Sequence, residues 1–99
     1  MSQYNITLSE GVAWTTKWRT DYPEEVKAFK IDKAEIEQIM QDNPTAAGIR
    51  CYMGKKGDDP KLIIVAVDSD GNDILSSLYD HADACPPACD NSSVLCVGE

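Results

Sequence analysis

Thr7-Leu8-Ser9-Glu10 has the spacing of a capping box, in which hydroxyl and carboxylate each take the other residue's amide, so a helix is expected to begin near Leu8. Leu8, Gly11, Trp14 or Thr15, and Trp18 follow at helical spacing. That places both indoles on one face, where they are expected to anchor the helix to a core. Pro23 stops the run after Asp21 and Tyr22. From Val26 to Ile31 the pattern alternates, with Phe29 and Ile31 on one side, which suits a short strand or extended arm. Asp32 then stands at a second cap position, and Ile31 and Ile36 flank it as a hydrophobic staple. Ile36, Ile39 and Met40 share one face of the helix that follows, and Asn43-Pro44 ends it.

Beyond Thr45 the period changes from helical to alternating. Ala47, Ile49, Cys51 and Met53 point one way and Arg50 and Tyr52 the other, as in a strand with one wet face. A polar turn over 54–60 leads into Leu62-Ile63-Ile64-Val65-Ala66-Val67, an unbroken apolar run that fits a strand covered on both sides. Asp68-Ser69-Asp70-Gly71-Asn72-Asp73 turns the chain again, and Ile74 to Tyr79 pairs back as a third strand. After Asp80 the pattern loses its period, and Pro86-Pro87 excludes regular structure there, so 80–99 is expected to be an irregular acidic tail with Val94, Leu95 and Val97 tucked against the sheet. The predicted fold class is α+β: two helices packed on a small antiparallel sheet, a three-stranded meander with a fourth strand open to the segment 26–31. Residues 1–99 are read as a single domain, without internal repeat.

Charge refines this picture. The formal charge of −8 lies wholly in the second half: residues 1–56 carry eight acids and eight bases, whereas 57–99 carry nine acids against Lys61. Such a field disfavours nucleic acid and anionic membrane surfaces and permits a basic protein partner or a divalent cation. Much of the excess is aspartate in turns, however, and Asp80, Asp83 and Asp90 are the acids left without a turn role. No apolar run has the length of a membrane span, and Met1 to Thr20 lacks the pattern of a secretory leader. A cytoplasmic setting is therefore expected, and the oligomeric state is open.

His81, Cys85, Cys89 and Cys96 carry the sharpest chemistry, because three thiolates and an imidazole satisfy tetrahedral zinc. The four-residue step from Cys85 to Cys89 is looser than that of common zinc knuckles, and no second close cysteine pair exists. A catalytic dithiol fits less well still. Asp80, Asp83 and Asp90 raise a thiol's pKa, and Pro86-Pro87 rarely continue the helix whose N-terminus lowers one. A Cys85–Cys89 or Cys89–Cys96 disulfide is open in an oxidised sample, and Cys51 reads as an inert core residue. The acidic turn 68–73 is out of register for an EF-hand, since Gly71 at the sixth position puts Ala66 at the first and Ser77 at the twelfth; it reads as a hairpin turn. No hydrolytic, P-loop or dinucleotide-binding pattern occurs, so the chain is read as no enzyme.

Gly48-Ile49-Arg50-Cys51-Tyr52-Met53-Gly54, the segment Leu62 to Asp73 and Cys85-Pro-Pro-Ala-Cys89 together resemble, in their order, short uncharacterised proteins of Bacteroidetes-type bacteria. The resemblance runs from Phe29 to Cys89 and implies a bacterial, cytoplasmic setting; it brings no activity, cofactor or catalytic residue. The leading functional reading is thus a small non-enzymatic binding or protein-interaction module using Arg50 and Tyr52, or Asp80, Asp83 and Asp90. The alternatives are a zinc-binding or thiol-redox protein working through the tail, and an acidic inhibitor or immunity-like protein.

Overall fold

The computed structural model describes residues 3–98. Its elements run α1 (Leu8–Asp21), β1 (Ala28–Lys30), α2 (Lys33–Asp42), β2 (Gly48–Lys56), β3 (Asp59–Val67), β4 (Asp73–Tyr79), β5 (Asp83–Cys85) and α3 (Val94–Val97). The fold class is α+β, as the periodicities imply. The chain forms two compact units, one from the segments up to Ala28 and from Cys85 onward, the other from Phe29–Ala84. β1 and β5 pair as a two-stranded ladder, and the chain leaves and rejoins the first unit within them.

In the second unit, β2, β3 and β4 form an antiparallel meander with β3 at its centre. The first hairpin is tighter than expected: Lys56 pairs with Asp59, and only Gly57 and Asp58 turn the chain. Gly57 takes φ +61 and Asp58 a negative φ, the sign pattern of a type II′ turn, which matches the twist of the flanking strands. The second turn is built by Asp68, whose carboxylate accepts the amides of Asp70 at 2.9 Å and Asn72 at 3.0 Å, while Gly71 takes φ +85. This is the hairpin turn expected in place of a calcium loop.

α2 lies on one face of β3. Ile39, with 1% of its surface exposed, packs with Leu62, Ile64 and Ala66, and Phe29, Ile31, Ala46, Ile74, Tyr79 and Ala82 close around them. The helix begins after Asp32, whose side chain makes no capping bond; only its carbonyl receives the amides of Glu35 and Ile36, and its carboxylate turns to Lys30 and His81. Asn43 ends the helix with its side-chain amide on the Ile39 carbonyl at 2.8 Å and near the Tyr79 hydroxyl at 3.3 Å, so this buried polar side chain has its partners.

Two core assignments need correction. Cys51 is exposed, as are Ile49 and Met53 beside it: α2 covers β3, and the apolar face of the edge strand β2 lies beyond it. Trp14 and Trp18 are 59% and 42% exposed, and α1 buries no residue. Trp18 instead stacks on Tyr22 and donates its indole N–H to the Val26 carbonyl at 3.0 Å, which spends the indole on the loop that follows the helix.

The remaining expectations hold in part. The capping box of Thr7 and Glu10 is fully formed. The segment 26–31 does contain a strand, but its partner is β5 and not the meander. The tail is more regular than its sequence suggests, holding β5 and the single turn α3. Val94–Val97 pack with α1, where Arg19 donates to the Leu95 carbonyl at 2.6 Å and the Leu95 side chain lies over Gly11.

Candidate cysteine site

The tail brings three sulfurs together by a sequence of local devices. Cys85 closes β5 and is buried, at 4% exposure, and the Lys27 amide donates to its carbonyl at 2.7 Å. Pro86 and Pro87 then reverse the chain, and the Cys89 amide donates to the Pro87 carbonyl at 2.9 Å. Asp90 fixes the next bend, its carboxylate accepting from both the amide and the hydroxyl of Ser92 at 3.1 and 2.6 Å. Those two bonds, the hydroxyl first, hold the Asp90 carboxyl below its ordinary pKa. Ser93 caps α3 by accepting the Leu95 amide, and the helix presents Cys96 back toward Cys85.

Cys85 and Cys89 form a disulfide with Cα atoms 4.8 Å apart, and the Cys96 sulfur lies 3.9 Å from that of Cys85. All three sulfurs fall within 4.8 Å of one another. His81, the fourth residue of the expected set, belongs to the other unit: its ring is exposed 3.7 Å from the Asp32 carboxylate, and its amide donates to Glu35 at 3.0 Å. Among the described residues, the sulfur group is made by cysteines alone.

The residues singled out as an interaction surface all have partners within the chain. Arg50 pairs with Asp73 at 2.5 Å and reaches the Gly71 carbonyl, and the Tyr52 hydroxyl donates to the second Asp73 oxygen. Asp80 lies 3.9 Å from Lys61, Asp83 lies 3.7 Å from Lys30, and Asp90 serves the Ser92 turn. Asp73, the partner of both Arg50 and Tyr52, stands in the sequence only as the last residue of the turn 68–73. Its signal is the strand register, since Arg50 faces Val65 on β3 and Asp73 faces Val67, two residues along the same side.

No helix among the described residues is long and apolar enough to cross a membrane. Compared with protein-family models, with curated proteins and with solved structures, the chain matches none.

Proposed function

We propose that this chain is a small metal-binding protein which, when reduced, holds a thiophilic divalent cation of the zinc class on Cys85, Cys89 and Cys96. The observation that carries this reading is the shape of the sulfur group. Thiol–disulfide exchange proceeds with the attacking sulfur in line with the bond it breaks. Three sulfurs in such a row, one at 3.9 Å from a disulfide bond of about 2.05 Å, would separate the outer pair by about 6 Å. Here all three lie within 4.8 Å, which makes a triangle. Zinc–sulfur bonds of about 2.3 Å at tetrahedral angles set sulfurs about 3.8 Å apart, so a reduced trio of this size suits the face of a tetrahedron.

Thiolate donors favour soft and borderline cations over magnesium or calcium. The fixed turn at Asp90 and the Ser93 cap support the reading further, because they hold Cys96 in place without help from the metal. The test is metal content after purification under reducing conditions without chelator, together with cobalt(II) uptake followed by its thiolate charge-transfer absorption. About one equivalent of zinc and a cobalt–thiolate band are expected, and both are lost in Cys96→Ser. Less than about a tenth of an equivalent, with no such band, rules the reading out.

A further inference from the structure

The Cys85–Cys89 disulfide uses two of the three sulfurs that the proposed cation needs. A disulfide sulfur carries no negative charge and is a poor ligand, so closing this bond leaves Cys96 as the single thiolate of the group. We infer that disulfide and bound cation are alternative states of one site, and that a low-molecular-weight disulfide such as oxidised glutathione ejects the cation. This inference rests on the metal-binding reading above.

The geometry makes both states accessible from one backbone. A Cα separation of 4.8 Å lies inside the range that disulfides span, about 4.4 to 6.8 Å. Passing from a bonded pair to two metal-bound thiolates moves the sulfurs apart by only about 2 Å, within the reach of χ1 rotation. Cys96 stands outside the bonded pair, its sulfur 3.9 Å from that of Cys85, on the turn of α3 where the Ser93 carbonyl accepts the Cys96 amide at 3.0 Å.

Exposure sets the order of events. Cys85 is buried and Cys89 is half-buried, so the external disulfide meets Cys89 first. The Cys89 thiolate attacks one glutathione sulfur, forms a mixed disulfide and releases one glutathione thiolate. Cys85 then attacks the Cys89 sulfur, forms the Cys85–Cys89 bond and releases the second. Two electrons pass from the protein to the oxidant, and the cation leaves to solvent as a divalent ion. A dithiol reductant reverses the sequence.

Thiol counting on the full chain makes the states distinguishable. The chain has four cysteines, and the disulfide form leaves Cys51 and Cys96 free. Fast-reacting thiols should therefore number about four in the reduced, metal-free protein, about two after oxidation and about one, Cys51, when zinc is bound. The experiment loads reduced protein with zinc, adds excess oxidised glutathione, follows released zinc with a chromophoric chelator, and maps the new bond by peptide mass spectrometry. Release of about one zinc per chain with a Cys85–Cys89 linkage, restored by dithiothreitol and zinc, is the expected result. Zinc retained under oxidation, or released with Cys96 in the new bond or with glutathione left on Cys85 or Cys89, overturns the switch while leaving the metal site standing. Failure of the reduced protein to take up zinc overturns both. Cys96→Ser provides the separating variant, since it should still form the Cys85–Cys89 disulfide and yet hold no zinc.

Discussion

Asp73 organises the polar face of the sheet. Its side chain is only 18% exposed, and it accepts the Tyr52 hydroxyl on one oxygen and Arg50 on the other. The Tyr52 hydroxyl does most to hold the Asp73 carboxyl below its ordinary range; desolvation opposes it, and Arg50 adds to the lowering. A carboxyl with a depressed folded pKa contributes stability that is fully present above its unfolded value of about 3.9 and is lost as pH falls through the folded value. Tyr52→Phe should therefore move the Asp73 titration upward, toward the unfolded value, and begin acid unfolding at higher pH. Carbon-detected NMR titration of the Asp73 carboxyl reads this directly, and an unmoved midpoint would show that the hydroxyl is not what holds it. Arg50 and Tyr52 were visible in the sequence as the wet side of an alternating strand, but their common partner was not. It lies 21 residues or more away and becomes a neighbour only through the register of two hairpins.

At the scale of elements, the two longer helices differ in what fixes them. α2 is held by a single fully buried side chain, Ile39, seated on Leu62, Ile64 and Ala66. Ile39→Ala should cost about 2 to 4 kcal/mol in chemical denaturation, because the site loses both apolar burial and the contacts of a filled core. α1 owes its ends to the Thr7–Glu10 box and to the Tyr22 amide on the Trp18 carbonyl, and its indoles remain exposed. Trp14→Ser should then change stability by no more than about 0.5 kcal/mol, whereas the core role expected from its helical spacing would make it as damaging as Ile39→Ala. Spacing reveals that a helix has a face. It does not reveal whether the protein covers that face.

For the whole molecule, the charge asymmetry takes on a different meaning once partners are known. Asp68, Asp73 and Asp90 shape turns or brace the sheet, while Asp80 and Asp83 meet lysines, so five of the nine acids of residues 57–99 are engaged with their own chain. The disulfide is likewise a local feature. The core cluster in the second unit contains no cysteine, and the bond between Cys85 and Cys89 closes a loop of sequence separation 4. Loop-closure entropy for so short a ring is worth about 2 kcal/mol at most. Reduction in the presence of chelator should lower the unfolding free energy measured by chemical denaturation by no more than this and leave the β-sheet signal in far-ultraviolet circular dichroism intact. Loss of that signal would make the bond a condition of folding.

The sequence alone determined the elements before the tail, because their signals act over a few residues: the capping box at Thr7, the stop at Asn43, the apolar run at Leu62–Val67, and glycines at 57 and 71 where the chain needs positive φ. Tertiary structure decided everything that depends on which distant residues meet. It gave β1 its partner in β5, left Cys51 outside the core, paired His81 with Asp32, and turned a loosely spaced H-x3-C-x3-C-x6-C pattern into three sulfurs within 4.8 Å. Alternation tells that a strand has two faces, and spacing tells that cysteines lie near in chain. Only the path between them, set by the proline turn, the Asp90 bend and the Ser93 cap, places their sulfurs in one triangle.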